Sequence, residues 1–371
     1  MSATPSRPAL PSIEELLSQL VAIPSINPAG RVAIPTHYGE QGMVDYLQTL
    51  LQPWADRIEI QQVTPGRPNL LAYFRGQRSE QSYAFEAHTD TVDVAGMTVE
   101  PFAPVIRDGK LFGRGACDDK GPMVAMILAI LRHLEAGKAL PCDWWLLATC
   151  DEELGGGGAS HLVNSGFRCD GIIVAEPTGN QALIAHKGAV RYTLRVHGKA
   201  GHSAYPEHGA NAIHAAADWI THLEQAVAEL QPEESDPDAR LTFSTGTING
   251  GDQVNRIPDA VTLLTDWRVP NGMASGQVEK LLLEAANAVT SARPGIRCEY
   301  EQTQYYPPFA FDRNSAFARI VAPLFAKLAE PQTARYATNA GFYTQANIPA
   351  LVFGPGSIEQ AHRADEWIEL A

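Results

Sequence analysis

The sequence predicts an α/β protein in which a mixed sheet lies between helices, residues 1–187 and 303–371, interrupted by a small ferredoxin-like α+β unit at 188–302. Three observations carry that reading. Apolar runs of strand length alternate with runs of helical spacing from residue 10 to 184, the pattern of a sheet layered with helices. After Lys187-Gly188 the strands become long and half-polar, and the order becomes β-α-β-β-α-β, the split βαβ unit. The late apolar run Ala350-Leu-Val-Phe-Gly354 then returns to the first texture.

Taken in order, Ser12-Ile-Glu-Glu15 has the form of a capping box, and Ile13, Leu16, Leu17, Leu20 and Val21 follow it at helical spacing up to Pro24. A second amphipathic helix is expected over 39–51, with strands near 58–63 and 69–74. Tyr83-Ala-Phe-Glu-Ala-His88 reads as a strand, Arg107-Asp-Gly-Lys as a turn, and the apolar stretch after Pro122 as a buried helix stopped by Gly137. Strands near 144–149 and 171–175 complete this part. In the insert, Ala189 to His197 alternates as a strand, and a helix spans about 210–230. Residues 231–239 read as a polar loop, 241–247 and 260–269 as strands, 275–292 as a helix, and Cys298 to Gln302 as the last strand.

Composition narrows the partners. The chain has 371 residues, 45% hydrophobic and 19% charged, as in a globular protein. A net charge of −14 with no basic stripe repels nucleic acid and anionic membranes, which leaves small molecules. No apolar run reaches the roughly 18 residues of a membrane span. Met1 to Leu10 lacks the apolar core of a signal peptide, so cytoplasmic residence is expected. Five cysteines, Cys117, Cys142, Cys150, Cys169 and Cys298, form no C-x-x-C pair, which argues against a disulfide scaffold or a thiolate metal site.

The chemistry gathers around Gly113-Arg-Gly-Ala-Cys-Asp118-Asp119-Lys-Gly-Pro122, where two adjacent carboxylates precede the apolar run Met123 to Leu131. Buried ionised acids require a proton or a cation, and a helix N-terminus supplies only a fraction of a charge. Other acids and imidazoles stand at the ends of apolar runs: His88 with Asp90 two residues on, Glu152 and Glu153 after Cys150-Asp151, and Glu176 before Pro177. In an open α/β sheet such strand ends meet. His362, in Gly354-Pro-Gly-Ser-Ile-Glu-Gln-Ala-His362, adds a second imidazole. A lone H-x-D is more often a hydrogen-bonded pair than a ligand. Five such motifs in one chain outweigh that reading, and a pair of divalent metals needs a bridging carboxylate, flanking ligands and a base.

The motifs HTDTVD (88–93), GRGACDDKG (113–121), DEELGG (151–156), AEPT (175–178), GKAGHSAYPEHGANAI (198–213) and GPGSIEQAH (354–362) resemble the M20 family of metallopeptidases and deacylases. Within it the chain is most similar to members that deacetylate N-acetyl-ornithine or desuccinylate succinyl-diaminopimelate. The resemblance implies a zinc-peptidase-like catalytic domain with an inserted dimerisation (lid) domain. It makes Asp118 the bridging ligand of two divalent ions, zinc by family habit with cobalt or manganese acceptable to the same donors. His88 and Glu176 would serve one ion, Glu153 and His362 the other. Asp90 would orient His88, Glu152 would be the general base, and the Asp118–Asp119 peptide would be cis. His202 would cross from the partner subunit of a homodimer to stabilise the oxyanion.

Substrate contacts are expected from Arg268 and Asn255, and from Lys187, Thr338 and Gly341; for Arg268 the structural alternative is a pair with Asp266. Asn339 stands where relatives carry an acid, which weakens the case for a cationic substrate tail. Relatives usually continue into a further helix after Trp367-Ile-Glu-Leu, so lower stability, with ligands intact, is expected of a chain stopping at Ala371. The expected activity is hydrolysis of an N-acyl amino acid, N-acetyl-ornithine-like first. Desuccinylase, aminoacylase, carboxypeptidase or dipeptidase activity follows, and a catalytically silent metal-bound binding protein is the alternative of another class.

Overall fold

A computed structural model describes residues 7–29, 37–230, 239–273, 276–325 and 330–370. The polar loop expected at 231–239 and the start of the helix expected at 275 lie largely outside those residues. The chain forms two compact units, one of Met1–Ile184, Ala310–Thr333 and Thr338–Ala371, the other of Ala185–Phe309 and Ala334–Ala337.

In chain order the elements are α1 Ile13–Val21, α2 Gln41–Leu51, β1 Arg57–Thr64, β2 Arg67–Phe74, β3 Ser82–His88, β4 Val105–Arg107, β5 Lys110–Phe112, α3 Lys120–Glu135, β6 Asp143–Thr149, α4 Gly157–Asn164, β7 Gly171–Val174 and β8 Leu183–His186. The insert adds β9 Gly188–His197, β10 Gly201–His202, α5 Ala212–Glu229, β11 Thr242–Gly250, β12 Arg256–Ile257, β13 Ala260–Val269, α6 Gly276–Ala292, β14 Arg297–Tyr306 and β15 Phe309–Ala310. The chain closes with α7 Ala316–Phe325, β16 Gln332–Ala334, α8 Ala340–Gln345, β17 Ala350–Val352 and β18 Trp367–Glu369.

The first unit is built on a mixed sheet ordered β1-β2-β6-β3-β7-β17-β8-β15, with β16 beside β8. Its centre is parallel: β3 lies between β6 and β7, and β17 runs along β7 with Val352 opposite Val174. Four carboxyl ends therefore point the same way, and the loops leaving them share one edge. The Ser12 capping box starts α1, and Leu16, Leu17, Leu20 and Val21 enter a core with Met43 and Leu47 of α2, and Met123, Ile127 and Leu131 of α3. Leu70, Ala72, Ala87, Leu146 and Ala148 close that core from the sheet. On the opposite face Asn69 donates to the Gly158 carbonyl of α4 at 2.9 Å, and Asn339, before α8, donates to Glu86 of β3 at 2.9 Å.

A small sheet β18-β5-β4 lies apart from the main one. Asp108 (φ 51°) and Gly109 (φ 71°) close its β4–β5 hairpin in the left-handed conformations that a two-residue turn requires. Pairing of Trp367, Ile368 and Glu369 with Phe112, Leu111 and Lys110 makes the last residues a strand, which periodicity over so short a run does not signal.

The second unit is an antiparallel sheet β11-β13-β9-β14 covered by α5 and α6. Trp219, Leu223, Leu194, Leu263, Trp267 and Leu282 form its core. Strand β14 extends to Tyr306, past the end expected at Gln302, because a bulge between Gln302 and Gln304 restores pairing along β9. Among the described residues no helix is long and apolar enough to cross a membrane.

Candidate functional site

His88 is the last residue of β3, opposite Thr149 of β6, so it stands level with the turn that carries Asp151, Glu152 and Glu153. Glu176 leaves β7 two residues beyond Val174, and the segment holding His362 leaves β17. Asp118 and Asp119 immediately precede α3, joined by a cis peptide bond. Sequence-distant carboxylates and imidazoles thus gather on one edge of one sheet.

The His88 Nε2 lies 3.0 Å from Asp118 Oδ1. His362 Nε2 is 2.9 Å from Glu153 Oε2 and 3.6 Å from Asp118 Oδ2, so Asp118 faces both imidazoles. Among the described residues, three groups have donor atoms close enough to share a metal ion: His88–Asp118–Asp119, His88–Glu152–Glu176 and Asp118–Glu153–His362. Burial, aggravated by neighbouring carboxylates, pushes the Glu152 and Glu176 carboxyls well above their ordinary range. Burial also raises Asp119 strongly, with Asp118 and Glu86 adding to it, and it raises Glu153. Burial acts to lower His88, but hydrogen bonds with Asp118 and Asp90 and the surrounding negative charge hold it well above the ordinary imidazole value.

Asp119 Oδ1 and Glu153 Oε1 are buried and have no hydrogen-bond partner among the described residues. A site of this kind has too much negative charge for its burial, and cations satisfy it. The donors are nitrogen and oxygen only. Cys117 and Cys150 lie beside the site, but their thiols donate to the Ser357 and Arg67 carbonyls, and burial raises both thiol pKa values. An imidazole and carboxylate set without thiolate suits zinc, cobalt or manganese.

Asp90, expected to orient His88, faces the Nδ1 side of its ring with both its backbone carbonyl and its carboxylate. The atom 3.0 Å from His88 Nδ1 is the Asp90 backbone carbonyl, and the carboxylate Oδ1 is 3.7 Å away. That carboxylate also accepts the backbone N–H groups of Glu152 (3.0 Å) and Glu153 (3.1 Å) and the Asn27 amide (2.7 Å). Asp151, held at φ 64°, accepts from Asn27 at 3.0 Å and from Arg67 at 2.7 Å, and Arg67 is paired with buried Glu40. A Cβ at Gly155 or Gly157 would lie 2.9 or 2.7 Å from Asp151 Oδ2, so the glycine run lets the chain wrap this side chain. Asn27, Glu40 and Arg67 carry no sequence signal for this part, and Asp151 stands in the DEELGG motif ahead of the glycine run with no role assigned to it there.

Thr338 and Gly341 lie in the first unit: Thr338 is buried before α8, its hydroxyl accepting the Ala340 N–H at 3.2 Å. Asn339 donates to Glu86 and to the Thr149 hydroxyl, so this position is spent inside the core. In the second unit, the β10–β12 pairing brings His202 and Asn255 together, with the Ser203 N–H donating to the Asn255 carbonyl at 3.1 Å. The His202 ring is exposed and accepts the Ala204 N–H at 3.1 Å. Arg268 pairs with Asp266 at 2.8 Å, the alternative noted above, yet it also lines a cavity of about 250 Å³ with Lys187, Arg240, Thr242 and Arg335. Arg240 and Arg335 had no distinguishing sequence pattern.

The model of peptidase family M20/M25/M40 matches residues 84–371. An acetylornithine deacetylase of Proteus mirabilis (strain HI4320) is 35% identical over 370 residues, 98% of this chain and 93% of that protein. The fold is similar to that of a tripeptidase from Staphylococcus aureus, with a TM-score of 0.77 at 19% identity over 96% of this chain and 93% of that one. It is also similar to that of a dinuclear metal-binding M20 peptidase from Bacillus subtilis, with a TM-score of 0.67 at 16% identity over 96% and 92%.

Proposed function

The chain belongs to peptidase family M20/M25/M40, hydrolases of amide bonds, and from that premise we propose a two-metal deacylase that removes the acyl group of an N-acyl amino acid, N-acetyl-ornithine before others. The observation that carries the reading is the convergence of His88, Asp118, Glu153, Glu176 and His362 around Asp118, with Glu152 beside them. Two divalent cations, zinc by choice of donors, would polarise the scissile carbonyl and make a water more acidic. His88 and Glu176 would hold one ion, Glu153 and His362 the other, and Asp118 both.

Glu152 receives the proton of the attacking water and delivers it to the leaving nitrogen. That task suits a carboxyl whose proton affinity burial has raised. Asp90 fixes the backbone of Glu152 and Glu153, and its carbonyl sets the His88 ring so that Nε2 faces Asp118. His202 is assigned to the oxyanion from a second copy of the chain. Arg268, Asn255, Lys187, Thr338 and Gly341 are assigned to the substrate. The cations around the Lys187–Arg268 cavity favour a second reading in which the acyl group is itself anionic, as in an N-succinyl amino acid.

The test is hydrolysis of N-acetyl, N-succinyl and N-formyl amino acids and several dipeptides by zinc-loaded protein. Turnover concentrated on N-acetyl-ornithine supports the first reading. Preference for N-succinyl substrates replaces it with the second, and turnover confined to dipeptides overturns both.

A further inference from the structure

Four residues after His362 stands Glu366, a carboxylate 1% exposed. Its Oε1 accepts the backbone N–H groups of Cys117 at 2.7 Å and Asp118 at 2.9 Å, and its Oε2 accepts the Gly115 N–H at 2.9 Å and the Arg114 guanidinium at 2.8 Å. Arg114 also donates to the carbonyls of Asp93 at 2.9 Å and Arg363 at 3.0 Å, and the Gly113 N–H donates to the Glu366 carbonyl at 3.1 Å. One side chain therefore ties the loop bearing Asp118 to the segment bearing His362. Next to it, Asp365 accepts the N–H of Thr98 at 2.8 Å, its hydroxyl at 2.5 Å and the N–H of Val99 at 3.1 Å.

His362 needs such a clamp. Its backbone is left-handed, φ 60°, a conformation that a non-glycine residue keeps only where its surroundings over-determine it. Its own side chain is 59% exposed, so burial does not hold it. Beyond its 2.9 Å contact with Glu153, the restraint comes from the residues that follow.

We propose that Glu366 is a positioning residue that fixes the spacing between Asp118 and His362 and so sets how tightly the Asp118–Glu153–His362 group holds its cation. The inference rests on the two-metal reading above. Glu366→Gln keeps the shape but turns an NH₂ group toward donors on one side, so half the clamp is lost while packing is kept.

The test titrates Zn²⁺ into metal-free protein against a chromogenic chelator, for wild type, Glu366→Gln and Glu366→Asp, with circular dichroism to confirm the fold. Wild type takes up two ions. Glu366→Gln weakens one of the two steps by about 10–100-fold and the other by less, and Glu366→Asp, which restores the charge, recovers part of the loss. Should Glu366→Gln not fold, Asp365→Ala on the exposed side of the same segment carries the test, with one step weakened in the same sense. Equal affinities in variant and wild type, or equal weakening of both steps, overturn the clamp. A wild type that binds fewer than two ions overturns the two-metal reading, and the clamp with it.

Discussion

Glu152 is surrounded by acids, and its high proton affinity comes from burial first and from Glu153, Asp90 and Asp118 after it. Glu152→Gln keeps the size and removes the base, so kcat is expected to fall by about 10²–10⁴ with both zinc ions still bound. Metal analysis beside the rate assay checks it, and unchanged turnover would remove Glu152 from the role. A second residue makes pH matter to folding. Burial lowers the pKa of His186 from 6.5 to about 4. Below pH 6.5 the unfolded chain takes up this proton and the folded chain does not. Stability is therefore lost as pH falls from 6.5 toward 4, by about 2–4 kcal/mol in all, and is level in this respect above 6.5. Urea unfolding at several pH values should show a flatter profile for His186→Asn than for wild type. The candidate ligands were legible at this scale because His88, Glu153 and Glu176 stand where apolar runs end. Their supports were not: Asn27 lies 63 residues from Asp90, and Arg114 lies 252 from Glu366, and no local pattern spans such distances.

Strands β6, β3, β7 and β17 set the site, and their parallel order makes its geometry sensitive to backbone spacing at their ends. Gly354, two residues past β17, has no room for a side chain: a Cβ would lie 2.5 Å from the Glu176 carbonyl and 3.1 Å from Pro122 Cβ. Gly354→Ala is expected to cost about 1–3 kcal/mol and to weaken zinc binding through Glu176. Denaturant unfolding with and without zinc reads both effects. Leu131→Ala, in the buried face of α3 that carries Asp118 and Asp119 at its start, is expected to cost about 2–5 kcal/mol in the same assay. Strands with clear alternation and the capped α1 were legible. Helix α4 was hidden by the glycine run that starts it, which also has to wrap Asp151. The short β18 exists by pairing with β5, a tertiary cause that its own residues do not reveal.

At the scale of the molecule, the second unit begins at Ala185, near the change of texture at Lys187-Gly188, and runs to Phe309, past 302, where Thr303-Gln304 interrupts the strand pattern at the bulge. The acidic chain, −14 overall, concentrates buried carboxylates at one sheet edge of the first unit, and cations bound there would offset repulsion that folding otherwise has to overcome. Chelation is accordingly expected to lower the melting temperature. Zinc at about 100 times its dissociation constant should restore about 2.7 kcal/mol per site, measurable by calorimetry. The most direct measurement of the central claim is the rate of N-acetyl-ornithine hydrolysis as zinc is added to metal-free protein. Turnover is expected to be negligible without zinc and to rise until two equivalents are bound. Full activity without metal, or none after two ions are bound, would contradict that claim.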